Sequence, residues 1–168
     1  MNSDTAKLIL TRALAFAGTF VLSMAIVNAL PSVKEQRQRY FAQATVDGNL
    51  RRMELLRFAG ADINARGNCC LPLFLAAGEG RLDVVRYLLD QGADVNAHER
   101  FGNTALAEAT YYGHVAVIKE LLFRGAEINA ISEGGTALDI AINRNNMAVA
   151  DLLRRHGGKS VREHGAGN

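Results

Sequence analysis

GADVNA, residues 92–97, nearly recurs as GADINA at 60–65 and as GAEINA at 125–130. A reaction centre has to be built once, whereas an element that stacks on copies of itself must be rebuilt in every layer. Aligning on the leading glycine sets boundaries at Gly60, Gly92 and Gly125, with a decayed copy at Gly157-Gly158-Lys159, at intervals of 32, 33 and 32 residues. A fixed period of this size describes small supersecondary units, each unable to bury its own apolar side and each sheltered by its neighbours.

Between these glycines every copy reads as two short helices. Thr104 and Thr136 place a side-chain oxygen where it caps the first helix, and Leu106 and Ala109 give that helix one apolar face. Gly48, Gly80 and Gly113 end the first helix where a left-handed backbone is required, and Asn145 takes that place in the last copy. Val84, Val85, Leu88 and Leu89, then Val117, Ile118, Leu121 and Leu122, form the buried stripe of the second helix. The Asp and Asn of each GADVN then close turns with their short side chains.

The segments LPLFLAAGEGRLDVVRYLLDQGADVNA (71–97), TALAEATYYGHVAVIKELLFRGAEINA (104–130) and TALDIAINRNNMAVADLLRRHGGK (136–159), with an incomplete YFAQATVDGNLRRMELLRFAGADINA (40–65), resemble the ankyrin-repeat family. The resemblance implies an all-α ankyrin-repeat solenoid of about four helix-turn-helix repeats with β-turn loops. The expected repeats are 34–66, 67–98, 99–131 and 132–159, within a domain over 32–159, followed by a frayed, flexible tail at 160–168. Lys34, Gln36, Arg37, Gln38 and Arg39 suit the polar outer side of the front copy. His114 stands at the family's Gly-His position, for which the resemblance implies a structural role. Leu71 and Phe74 replace the family's Thr and His, so the second copy loses a cap and its hydrogen bond and its loop becomes a place of local adaptation.

The family's variable positions imply a protein-binding face along loop tips and first helices. They fall on Asn68, Cys70, Gly78 and Glu79, on Arg100, Phe101, Asn103, Tyr111 and Tyr112, and on Glu133, Gly135, Asn143 and Arg144. Phe101 and the Tyr111-Tyr112 pair stand out, because aromatic and arginine side chains dominate protein interfaces. Arg66, His98 and Ile131, just after each Asn-Ala, border the same face.

From Ala13 to Leu30 the chain reads ALAFAGTFVLSMAIVNAL, eighteen residues without a charge. As a helix this spans a bilayer core of about 30 Å. It predicts one hydrophobic N-terminal helix, over a segment 1–31, that anchors the chain in the cell membrane as a single pass. The alternative is a secretory signal cut near Ala29, since Val27-Asn28-Ala29 offers small residues, which would place the repeats in the periplasm or outside the cell. Lys7 and Arg12 before the stretch are matched by Lys34, Arg37 and Arg39 after it, so the positive-inside rule leaves the face open. Pro31 breaks the helix, and Ser32 with Glu35 reads as a capping box for a new helix from about Val33.

The composition is that of a globular chain: 49% hydrophobic, 21% charged, with 19 basic and 17 acidic residues and a net charge of +2. Scattered basic residues argue against a nucleic-acid partner. Cys69 and Cys70 are adjacent and lack the spacing of a disulfide framework or a metal site. No nucleophile elbow, phosphate loop or paired carboxylates accompany the histidines, so the expectation is no catalytic residue, cofactor, metal or small-molecule substrate. The reading is a non-catalytic, membrane-tethered binder of a protein partner. The alternative is an exported inhibitor, immunity or stress-protection protein that blocks an enzyme by the same face.

Overall fold

The computed structural model describes residues 31–67 and 70–165; the apolar stretch 13–30, Asn68 and Cys69 lie outside the described residues. The chain divides into two compact units, Met1–Arg37 and Gln38–Asn168. Helices α1 (Pro31–Asp47) and α2 (Leu50–Phe58) belong to the first copy of the repeat, α3 (Pro72–Gly78) and α4 (Leu82–Asp90) to the second. The third copy contributes α5 (Ala105–Tyr112) and α6 (Val115–Phe123), and the fourth α7 (Ala137–Asn143) and α8 (Met147–Arg155). Among the described residues there is no β-strand, only an isolated bridge between Ser132 and Gly135. Ser32 is itself helical, within α1, and does not stand ahead of the helix as the capping-box reading expected.

In the second, third and fourth copies the two helices of each pair pack on each other, and successive first helices, α3 on α5 and α5 on α7, lie against each other. Small side chains permit this approach: Ala76, Ala77, Ala105, Ala109, Ala137 and Ala141 are all buried in one continuous core. The larger core groups, Phe41, Met53, Val84, Leu88, Ile118, Leu121 and Leu153, come from both helices of the copies. Thr104 and Thr136 accept from the backbone of Ala107 and Asp139, as the sequence indicated. Asn145 adopts φ 57°, the left-handed turn predicted for it.

The recurring Asp and Asn have separate jobs. Asp62 and Asp94 close local turns by accepting from the N–H of Asn64 and Asn96. The asparagines reach into the next copy: Asn64 donates to the Gly92 carbonyl and accepts from Asp94 N. Asn96 does the same with Gly125 and Glu127, and Asn129 with Gly157 and Lys159. The repeated hexapeptide is therefore a rung of a ladder that fastens layer to layer.

Gln38 corrects the expectation of a polar, outward front. Only 8% exposed, it donates to the carbonyls of Asp62 and Ala65 and accepts from Asp62 N. Asp62 N is the donor that an asparagine of a preceding copy would satisfy, so Gln38 closes the open end of the ladder from within the chain. At the other end Val161 stands where the next asparagine would fall. Residues expected as tail instead form α9 (Val161–Gly165), begun by reciprocal bonds between Ser160 and Glu163, an S-x-x-E capping box.

Candidate protein-binding face

The face begins with helix α5, whose sequence ALAEATYY buries Ala105, Leu106, Ala107, Ala109 and Thr110. That leaves Glu108, Tyr111 and Tyr112 at spacings of three and four residues, which put them on one side of the helix. Tyr111 is 44% and Tyr112 57% exposed. Their rings meet edge to face at 5.1 Å between centroids, and Tyr112 stacks on His114 at 6.1 Å. The Arg144 guanidinium from the fourth copy lies 4.2 Å from the Tyr111 ring centre. The result is a row of π faces, Arg144–Tyr111–Tyr112–His114, crossing two copies.

His114 is fixed for this purpose from below, its Nε2 2.8 Å from the Gly78 carbonyl of the second copy. The structural role implied for the Gly-His position thus has a concrete partner. Gly80 leaves room for the imidazole: a Cβ there would stand 2.6 Å from His114 Nδ1.

Two depressions flank the row. One, about 430 Å³, is lined by Asn103, Ala107, Glu108, Tyr111, Tyr112, Glu133, Gly134 and Ile140. The other, about 320 Å³, is lined by Phe74, Leu75, Gly78, Glu79, Glu108, Tyr112 and His114. Glu108 and Tyr112 are common to both walls. Among the described residues Glu108 enters no ion pair, and burial pushes its carboxyl pKa above the ordinary value.

Of the residues singled out from the sequence, Asn103, Tyr111, Tyr112, Glu133, Gly78 and Glu79 are thus brought to this face, and Arg144 covers the Tyr111 ring. Arg100 and Phe101 sit apart, on a 3₁₀ turn (Arg100–Gly102) at a loop tip, where Phe101 is 71% exposed. The Phe101 carbonyl accepts from Glu133 N, joining two tips. Cys70 is half-buried, its carbonyl accepting from Gly67 N, and lines neither depression. Asn68 lies outside the described residues. Gly135 turns the fourth loop at φ 89°, Asn143 ends α7 and is exposed, and Ile131 is exposed.

Arg66 and His98 are used inside the stack. Arg66 pairs with the buried Glu99 at 3.0 Å and donates to the His98 carbonyl, while His98 Nδ1 meets the Gly102 carbonyl. Glu99 was not legible as important, yet it also accepts from Leu71 N, serving the helix start that lacks a capping side chain. Glu108 was missed as well, although its spacing from Tyr111 and Tyr112 carried the signal. Among the described residues no cluster of His, Cys, Asp or Glu could hold a metal ion.

A family model described as ankyrin repeats, in three copies, matches residues 41–132, more than half of the chain. Among curated proteins the chain is similar to serine/threonine-protein kinase 12 of Arabidopsis thaliana, 34% identical over 100 residues that cover 52% of this chain and 22% of the kinase. It is 49% identical over 47 residues to the probable E3 ubiquitin-protein ligase XBOS33 of Oryza sativa subsp. japonica, covering 28% and 9% of the two chains. It is 50% identical over 60 residues to ankyrin repeat and SOCS box protein 6 of Pongo abelii, covering 34% and 14%. The matched part spans less than a quarter of each of these relatives. With stacked helix pairs, an asparagine ladder between layers and this match over residues 41–132, the chain belongs to the ankyrin-repeat family.

Proposed function

We propose that this chain is a non-catalytic adaptor, held at the cell membrane by residues 13–30, that docks a protein partner on the α5 face and the adjoining loop tips. Ankyrin repeats are a protein-interaction fold, and the observation that carries the site is the exposed pair Tyr111 and Tyr112, large aromatic groups that packing does not require. Asn103, Glu79, Glu133 and Arg144 surround them, with Arg100 and Phe101 at the neighbouring tip. Tethering raises the partner's local concentration, so modest affinity suffices.

The anchor rests on the charge-free stretch 13–30; among the described residues no helix is long and apolar enough to cross a membrane. Replacing Tyr111, Tyr112 and Phe101 together by alanine should abolish partner capture with an unchanged circular dichroism spectrum. Undiminished capture would refute the assignment of the face. Val27-Asn28-Ala29 favours a second reading, an exported protein that blocks an enzyme. The mass of the mature chain separates the two: a start at Leu30 means export, and a retained Met1 with extraction only by detergent means anchoring.

A further inference from the structure

We infer that the α5 face takes an arginine side chain of an extended partner segment, its guanidinium seated beside Glu108 and Tyr112 where the two depressions meet. The inference rests on the docking reading above and specifies the chemistry of the partner. Glu108 is a half-buried carboxylate without a cation of its own among the described residues. Among the described residues the other carboxylates in comparable surroundings are satisfied, Glu99 by Arg66, Glu120 by Arg86 and Arg124, and Asp139 by the N–H groups of Thr136 and Val161 and the Thr136 hydroxyl. Glu133 adds negative charge to the lining of the larger depression and Glu79 to that of the smaller.

The aromatic walls select the kind of cation. A guanidinium is planar, stacks on a tyrosine face and bonds a carboxylate through two parallel N–H groups, whereas an ammonium does neither as well. The protein already builds the stacked half of this contact with its own Arg144, 4.2 Å over Tyr111 with Nη1 3.5 Å from the hydroxyl. Tyr112 and Glu108 offer a second such place across the row. The floor is held open by Gly78, where a Cβ would come within 3.2 Å of Glu108 Cγ.

The test selects random short peptides displayed on phage against the full-length chain in detergent, then repeats the binding with Glu108→Gln and with the Tyr111→Ala/Tyr112→Ala double variant. The expected result is enrichment of arginine in the selected peptides, with binding weakened about tenfold by Glu108→Gln and lost in the double variant, while the melting temperature of Glu108→Gln is not reduced. Peptides that depend on the tyrosines but lack arginine, or ignore Glu108→Gln, would overturn the inference and leave the docking face standing. Selection of no peptide that depends on the tyrosines would overturn both.

Discussion

Phe101 holds φ 63° in a loop one residue longer than its counterpart after Gly125, and it is an exposed aromatic in a conformation that favours glycine or asparagine. Phe101→Gly should therefore stabilise the fold by about 1 kcal/mol, read as a raised denaturant midpoint, while weakening partner capture. Gly80 shows the opposite constraint. At φ 68° with the His114 ring across it, Gly80→Ala should cost about 2 kcal/mol or more and displace His114 from the Gly78 carbonyl. Glu108 links stability to pH. Its carboxyl pKa is raised in the folded state because burial penalises the charge, so its favourable contribution is complete below the unfolded pKa and is lost as pH rises through the folded one. Glu108→Gln should thus raise the melting temperature at neutral pH and have no effect in acid, a stability gain at the expense of binding.

Among the elements, α7 carries the most complete start. Thr136 and Asp139 cap each other, the Thr136 hydroxyl reaches the Lys159 carbonyl, and Asp139 also accepts from Val161 N. Burial alone would raise the Asp139 pKa, but the N–H groups of Val161 and Thr136 and the Thr136 hydroxyl outweigh it and hold the group below the ordinary value. A depressed folded pKa means stabilisation that is present above the unfolded pKa and lost as pH falls through the folded one. Asp139→Asn should cost about 1 kcal/mol at neutral pH and flatten the acid side of the stability profile in urea titrations. Much at this scale was legible in the residues, since caps and left-handed turns are local: Thr104, Thr136, Gly113 and Asn145 all behave as their positions indicated. The start of α3 was half legible. The missing cap at Leu71 was visible, but its substitute, Glu99, comes from the following loop. A partner that many residues away leaves no local pattern.

Over the second unit, cohesion comes from neighbour-to-neighbour contacts, from the asparagine ladder, and from Arg86 and Asp90 of α4 paired with Glu120 of α6 and with Arg124 just past its end. In such a stack, damage at an end spreads less than damage in the middle. Gln38→Ala removes three bonds at the front and should cost about 1–3 kcal/mol. Hydrogen exchange would then quicken in residues 38–67 first, with α7 and α8 unaffected. The all-α ankyrin solenoid was readable from the period, whereas Gln38 was not, because nothing in a run of polar residues distinguishes the one that turns inward. Partners should meet the face of the first helices and not the surface of the second helices, and each supplies an exposed aromatic as a probe: Tyr112 on α5 and Phe123 on α6, the latter 83% exposed. A photo-crosslinking amino acid placed at either position in living cells is the most direct measurement. A discrete protein adduct should form from position 112, diminished when Glu108 becomes Gln, and none from position 123; an adduct from 123 alone, or equal adducts from both, would show that partners do not select the first-helix face.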